Sequence, residues 1–362
     1  MSSVNYQAKS LSGLNPADFK SSINGKQTDL FILKNKNGLE MCVTNFGGIV
    51  VSLLVPDKNG TPTDVVLGHK SIADYLNTPE KYLGAAIGRY GNRIKNSRFT
   101  LDGKEYRLTP TNSHYTLHGG KTGYNNVVWD AVQKDEQTLE LTYVSPDGDE
   151  GFPGTLSIRM IYRLTDRNEF KIDYEAETDK PTVVNLTQHS FFNLNGEGSG
   201  DVLDHIVTID ADFFTPNDEN STPTGEILTV KDTPMDFLSP HAIGERIDQD
   251  FQQLVFGAGY DHNYVLNKKE AGELTWAAQA VAPKTGITLD VFTTEPGVQI
   301  YTGNWLNGFE GKNGHAYPRR TAVCFETQHF PDSPNKPHFP TTVLRPGQRY
   351  GHTCVYRFGT KE

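Results

Sequence analysis

Two segments of this 362-residue chain set ionisable side chains among apolar neighbours, where acid-base chemistry is most readily built. In residues 183–194 (VVNLTQHSFFNL), an extended backbone puts Val184, Leu186, Phe192 and Leu194 on one face. It puts Asn185, Thr187, His189 and Asn193 on the other. Several hydrogen-bonding groups turned to one side, beside Phe191 and Phe192, suit the wall of a cleft; a half-exposed strand with a surface histidine is the plainer reading. In residues 322–330 (AVCFETQHF), Glu326 shares a face with Ala322, Cys324 and Gln328, while Val323 and Phe325 take the other. Partial burial raises a carboxyl's pKa and makes it a stronger base, provided that hydrogen bonds or a cation keep it ionised. The competing reading is a structural ion pair with Arg319 or Arg320.

Three shorter clusters place polar side chains beside glycine: GRYGNR at 88–93, LHGG at 117–120 and GYDHNY at 259–264. Glycine permits close backbone approach and unusual dihedrals, which suits loops that line a ligand and equally suits ordinary turns between strands. No phosphate loop, dinucleotide fingerprint, His-Glu-x-x-His or nucleophile elbow occurs. The eleven histidines show no recognised ligand spacing, so no metal is expected. Trp129, Trp276 and Trp305 read as core residues rather than as sugar-stacking platforms.

The elements that must hold these groups are strands. Apolar residues alternate at Leu156, Ile158, Met160, Tyr162 and Leu164, and again at Phe170, Ile172, Tyr174 and Ala176. Further strands are predicted over 41–44, 49–55, 139–144, 287–292, 298–302, 322–327 and 352–358. Residues 99–101 and 106–108 flank Asp102-Gly103, which supplies the positive φ angles of a type I′ hairpin turn. Helical periodicity is confined to 72–76 and 242–256, and no βαβ alternation occurs, so the fold class is all-β, an antiparallel sandwich or barrel. Gly/Pro/Asp-rich stretches at 196–201 and 215–225 read as elaborated surface loops.

A formal net charge of −10 argues against a polyanionic partner and favours a neutral small molecule. The longest apolar runs, such as 49–55, fall far short of a membrane span. Cys42, Cys324 and Cys354 lie in apolar or β-branched stretches and read as buried thiols in a reducing compartment. Residues 1–20 are polar and turn-rich and lack a signal-peptide pattern, so a cytoplasmic location is expected, with prior removal of a signal peptide as the alternative.

Taken together, the segments resemble the aldose 1-epimerase (galactose mutarotase) family. TNFGG at 44–48, GRYGNR, LHGG, DEGFPG at 149–154, NLTQHSFFNL at 185–194, YDHNYVL at 260–266, FETQHFPDSPN at 325–335 and LRPG at 344–347 fit its pattern in order. The resemblance runs from about residue 28 to 358. It implies one large antiparallel β-sandwich domain over 28–362 with an N-terminal extension over 1–27. It also implies catalytic Glu326 (base) and His189 (acid), substrate-binding Asn92, Arg93, His118, Asp261 and Gln299, a monosaccharide substrate and no cofactor. A monomer or homodimer without nucleic-acid or membrane partners is expected. The rival readings are a glycoside hydrolase, which normally needs two catalytic carboxylates such as Glu326 and Asp261, and a non-catalytic carbohydrate-binding protein on the same scaffold.

Overall fold

The computed structural model describes residues 10–362. The alternating segments form the long antiparallel pair Leu156–Leu164 and Glu169–Thr178, in register from Leu156 against Thr178 to Leu164 against Phe170. They lie within a nine-stranded sheet that also contains Thr138–Ser145, Tyr350–Thr360, Ile287–Thr293 and Thr275–Val281. One face of this sheet contributes Met160, Tyr162, Ile172, Leu289, Val291 and Tyr356 to the main hydrophobic core.

Two smaller sheets cover that face. The first has four strands, including Leu30–Lys34, Glu40–Thr44 and Ile49–Pro56, and contributes Leu33, Met41, Val43, Val50 and Leu53. The second has five, including Asp261–Val265, Gly297–Tyr301 and Cys324–Gln328, and contributes Tyr264, Val298, Ile300, Val323 and Phe325. Tyr162 Oη donates to Gly48 O at 2.9 Å and Tyr356 Oη to Phe325 O at 2.6 Å, so buried phenols tie the layers together without leaving their hydroxyls unpaired. The molecule is an all-β sandwich.

The remaining face of the four-stranded sheet is buried as well. Ile32, Cys42 and Val51 meet Phe19, Phe191, Tyr301 and Cys324 in a second cluster. Phe19 lies in residues 10–27, which fold against this sheet; Met1–Lys9 lie outside the described residues.

The hairpin forms as expected: Arg98–Leu101 pairs with Lys104–Arg107, and Asp102 and Gly103 take φ of 51° and 78°. Two expectations need correction. The helix expected over 242–256 is a 3-10 turn at Ile243–Glu245 and an α-helix only at Gln252–Gly257. Between them Arg246 turns its guanidinium back to Asp236 O, and the polar run 248–250 offers no face to bury.

Residues 183–194 do not form one strand with a solvent face. Only Thr182–Val183 and Thr187–Gln188 are strands, isolated bridges hold Asn185 and Phe192, and every residue from 183 to 194 is buried. The polar side chains replace ladder hydrogen bonds. Asn185 pairs both ways with the His329 backbone at 3.0 Å, Gln188 Nε2 donates to Gly84 O at 2.7 Å, and Asn193 Nδ2 donates to Gly200 O and Thr321 O.

Candidate active site

Register in the five-stranded sheet builds the floor of the site. Asn263 opposes Gln299, which opposes Glu326, while Asp261 opposes Tyr301, which opposes Cys324. Since neighbours across a sheet share a face, these two rows are turned together away from the main core, where Val298, Ile300 and Phe325 lie.

Asn92 and Arg93 enter from one loop and the strand Arg93–Lys95, and His118 follows the strand Tyr115–Leu117 paired to it. Asn92 and His118 adopt positive φ, 63° and 49°, and bond reciprocally: His118 N donates to Asn92 O at 3.0 Å, and Asn92 N donates to His118 Nδ1 at 2.9 Å. The next residue must be glycine, because Gly119 has φ 89° and a Cβ there would collide with the Gly88 carbonyl. Glu150 of DEGFPG caps the same loop by accepting from Lys121 N and Thr122 N.

The second half of FETQHFPDSPN clamps the Arg93 strand to the Glu326 strand. Asp332 N donates to Arg93 O at 2.8 Å, and its carboxylate accepts from Lys95 N at 2.9 Å and Lys336 Nζ at 2.7 Å. Arg89 of GRYGNR is structural. Fully buried, its guanidinium donates to Pro153 O, Gly154 O, Thr182 Oγ1 and Ser145 Oγ, well behind the cleft wall.

Six of the seven expected residues line a single cleft of about 220 Å³: Asn92, Arg93, His118, His189, Asp261 and Glu326. Gln299 lies one layer back, where Nε2 donates to Asp261 Oδ1 at 2.8 Å and Oε1 accepts from Gln328 Nε2 at 3.1 Å. It holds the aspartate rather than the cleft wall. Glu80, Tyr82, Tyr301 and Trp305 also line the cleft and stand outside the expected set. Tyr301 is legible in the sequence, since it shares alternation with Gln299. Glu80 sits on an irregular loop with no periodicity to mark it. Trp129 is core as expected, whereas Trp276 is half-buried and Trp305, at 67% exposed, stands at the rim, contrary to the core role expected for these two. A larger groove of about 1050 Å³ lies elsewhere, around Glu295 and His329, whose carboxylate and imidazole are tied at 2.6 Å.

At the floor, His189 Nε2 lies 3.4 Å from Glu326 Oε1, and both side chains are almost fully buried. Glu326 Oε1 has no hydrogen-bond partner among the described residues. The ion pair considered with Arg319 or Arg320 does not form: Arg319 donates to Ala258 O and Arg320 pairs with Asp248. Burial pushes the Glu326 carboxyl well above its usual range; Asp261 and Glu80 add to the rise, and Arg93 opposes it. Burial pushes His189 down to about 4 and holds His118 well below a normal imidazole, with His189 and Arg93 adding to the latter. Asp261 is raised by burial against the pull of Arg93 and Gln299, and Glu80 is pushed up to about 7 by burial. For Arg93, burial works against the charge, and the carboxylates of Asp261 and Glu326 help to outweigh it.

His118, His189 and Glu326 bring ligand-type atoms within 4.8 Å of one another, a spacing that a metal ion could bridge. The Asn92 N–H opposes that use. It occupies the lone pair of His118 Nδ1, so neutral His118 carries its hydrogen on Nε2 and has no lone pair there to give a metal. The cleft therefore pairs a buried acid-base couple with hydrogen-bond donors and acceptors at its walls, the equipment of an enzyme that moves protons on a small polyhydroxylated ligand.

Comparison with known proteins agrees with this class. The sequence profile described as aldose 1-epimerase matches residues 29–357. A galactose mutarotase from Bos taurus is 43% identical over 321 residues, covering 88% of this chain and 91% of that protein. An aldose 1-epimerase from Escherichia coli (strain K12) is 37% identical over 92% of this chain and 96% of its own length. Among solved structures, an aldose epimerase homologue from C. elegans superposes with a TM-score of 0.85 at 32% identity, covering 92% of this chain and 100% of that one. A galactose 1-epimerase from Lactobacillus acidophilus superposes with a TM-score of 0.82 at 25% identity, covering 94% and 97%. The chain belongs to the aldose 1-epimerase family and is an isomerase that interconverts aldose anomers.

Proposed function

We propose that the substrates are free aldohexoses, galactose and glucose among them, and that Glu326 and His189 carry out the anomer exchange without a cofactor. Glu326 takes the proton of the anomeric hydroxyl while His189 gives one to the ring oxygen. The bond from C1 to the ring oxygen breaks and an aldehyde forms. Rotation about C1–C2 exposes its other face, and closure reverses both transfers. What carries this reading is the buried His189–Glu326 couple at 3.4 Å in a cleft small enough for one monosaccharide.

The couple holds one proton in all. Before opening, the proton sits on His189 as an imidazolium and Glu326 is a carboxylate; afterwards His189 is neutral and Glu326 is the protonated acid. The directions of the pKa shifts favour the second arrangement of the couple, which offsets part of the cost of deprotonating the sugar hydroxyl and protonating the ring oxygen. Binding must first move the shared proton from Glu326 to His189, and Arg93, the cation that lowers Glu326, supports that step. Each positioned group is worth roughly 10²–10⁴-fold. Arg93, Asn92 and His118 Nε2–H hold substrate oxygens, Asp261 accepts from ring hydroxyls, and Gln299 acts by orienting Asp261.

The test is turnover of Glu326→Gln and His189→Asn, each expected to lose at least ~10²-fold while remaining folded by circular dichroism; near-normal activity in either would remove that residue from its role. The reading extends to a monomer or homodimer in the cytoplasm without nucleic-acid partners. It is supported by the charge of −10 and by three buried, unpaired cysteines. No helix among the described residues is long and apolar enough to cross a membrane.

A further inference from the structure

Arg93 brings into the cleft a guanidinium that no carboxylate ties down. Burial opposes its charge, while Asp261, the Tyr115 side chain and Glu326 favour it. Among the described residues neither carboxylate hydrogen-bonds it, and its Nε has no hydrogen-bond partner. What it does meet is the ring of Tyr115, whose centroid lies 4.7 Å from the guanidinium Cζ. Tyr115 is half-buried and stands outside the cleft lining.

Strand register makes this contact. In the antiparallel pair Arg93–Lys95 and Tyr115–Leu117, Leu117 opposes Arg93 and Tyr115 opposes Lys95. Side chains two residues apart share a face, so Tyr115 is the diagonal neighbour of Arg93, within reach of a long or aromatic side chain. Lys95, directly opposite Tyr115, sends its ammonium to Asp218 at 3.1 Å and leaves the ring to Arg93. The backbone here is already fixed, since Asp332 N donates to Arg93 O and Asn92 and His118 bond reciprocally. Only the long side chain remains to be ordered.

We propose that Tyr115 is the positioning residue of Arg93: its ring face fixes the guanidinium plane and leaves the N–H edges free for the substrate's oxygens. This rests on Arg93 holding a substrate oxygen. A guanidinium carries its N–H donors in its own plane, so an aromatic face holds the cation without spending any of them. A carboxylate in the same place would take two donors in a bidentate pair and cancel the charge that lowers Glu326. The ring quadrupole attracts the cation, and the attraction grows where water is excluded. Ordering the side chain before the sugar arrives also removes that entropy cost from binding.

The experiment is a double-mutant cycle on kcat/KM for α-D-galactose, followed by polarimetry, with Tyr115→Phe, Tyr115→Leu, Arg93→Met and each tyrosine change combined with Arg93→Met. Tyr115→Phe keeps the ring face and is expected to retain most of the activity. Tyr115→Leu keeps apolar bulk without a π face and should lower kcat/KM roughly 3- to 10-fold, chiefly through KM. In the Arg93→Met background the same leucine change should cost less than about twofold, because the group it acts through is gone.

A residue that only supports the fold would cost as much in either background, and that result would overturn the proposal. So would wild-type kinetics in Tyr115→Leu, or a phenylalanine variant as impaired as the leucine one. Arg93→Met alone tests the parent reading: wild-type kinetics there would remove Arg93 from binding and take the proposal with it. A large Arg93→Met effect with equal leucine losses in both backgrounds would defeat the role of Tyr115 alone.

Discussion

In the proposed mechanism Glu326 and His189 share one proton, and the pH dependence should report its gain and loss. Below about pH 4 His189 takes a second proton from solution and the couple has no base; above the elevated pKa of Glu326 the proton is lost and the couple has no acid. The profile of kcat/KM is therefore expected to show an acid limb near pH 4 and an alkaline limb above the ordinary carboxylate range. An acid limb at the pKa of a free imidazole would contradict this. Arg93→Met removes the cation that lowers Glu326, so it should move the alkaline limb upward as well as weaken binding.

Asp261→Ala should mainly raise KM, by roughly 10-fold or more, with a smaller effect on kcat, because the proposed role of the aspartate is to bind hydroxyls that do not react; steady-state kinetics separates the two. Glu326 and His189 are legible in the sequence because a carboxylate and an imidazole set in apolar strands stand out, whereas Arg93 and Asp261 are marked only by the family resemblance. Glu80, Tyr82 and Trp305 are not legible, because their place at the cleft depends on where loops come to rest.

The motifs divide their labour within single elements. In GRYGNR, Arg93 reaches the cleft and Arg89 supports the backbone behind it; in FETQHFPDSPN, Glu326 faces the cleft and Asp332 ties its strand to that of Arg93. Arg89→Leu would leave several buried acceptors unpaired, at about 1–3 kcal/mol each before relaxation. It is expected to cost at least ~3 kcal/mol in denaturant unfolding while kcat of the remaining folded enzyme stays close to wild type. A large kcat loss with unchanged stability would instead place Arg89 in the chemistry.

The Asp102-Gly103 hairpin is legible because its turn chemistry is local. Residues 183–194 read as one strand, either lining a cleft or half-exposed, because periodicity cannot reveal that polar side chains such as Asn185 and Asn193 bond to the backbone of distant segments, at His329 and Thr321.

Across the molecule, alternation at Leu156–Leu164 and Glu169–Thr178 foreshadows the nine-stranded sheet and its two smaller partners, whereas nothing in the sequence gives the order of strands. Strand order depends on contacts between segments far apart in sequence. We take residues 28–362 as one domain with residues 1–27 as an extension, and expect a single cooperative unfolding transition. Phe19→Ala, which empties a fully buried site between the extension and the four-stranded sheet, should lower stability by about 3–5 kcal/mol. A value below ~1 kcal/mol would mean that the extension contributes little to the fold.

The central claim is that Glu326 drives anomer exchange on a free sugar. Polarimetry of freshly dissolved α-D-galactose, with wild type and with Glu326→Gln at equal concentration, tests it most directly. The expected result is a faster approach to the equilibrium rotation with wild type and the uncatalysed rate with the variant; equal acceleration by both proteins would contradict the role assigned to Glu326.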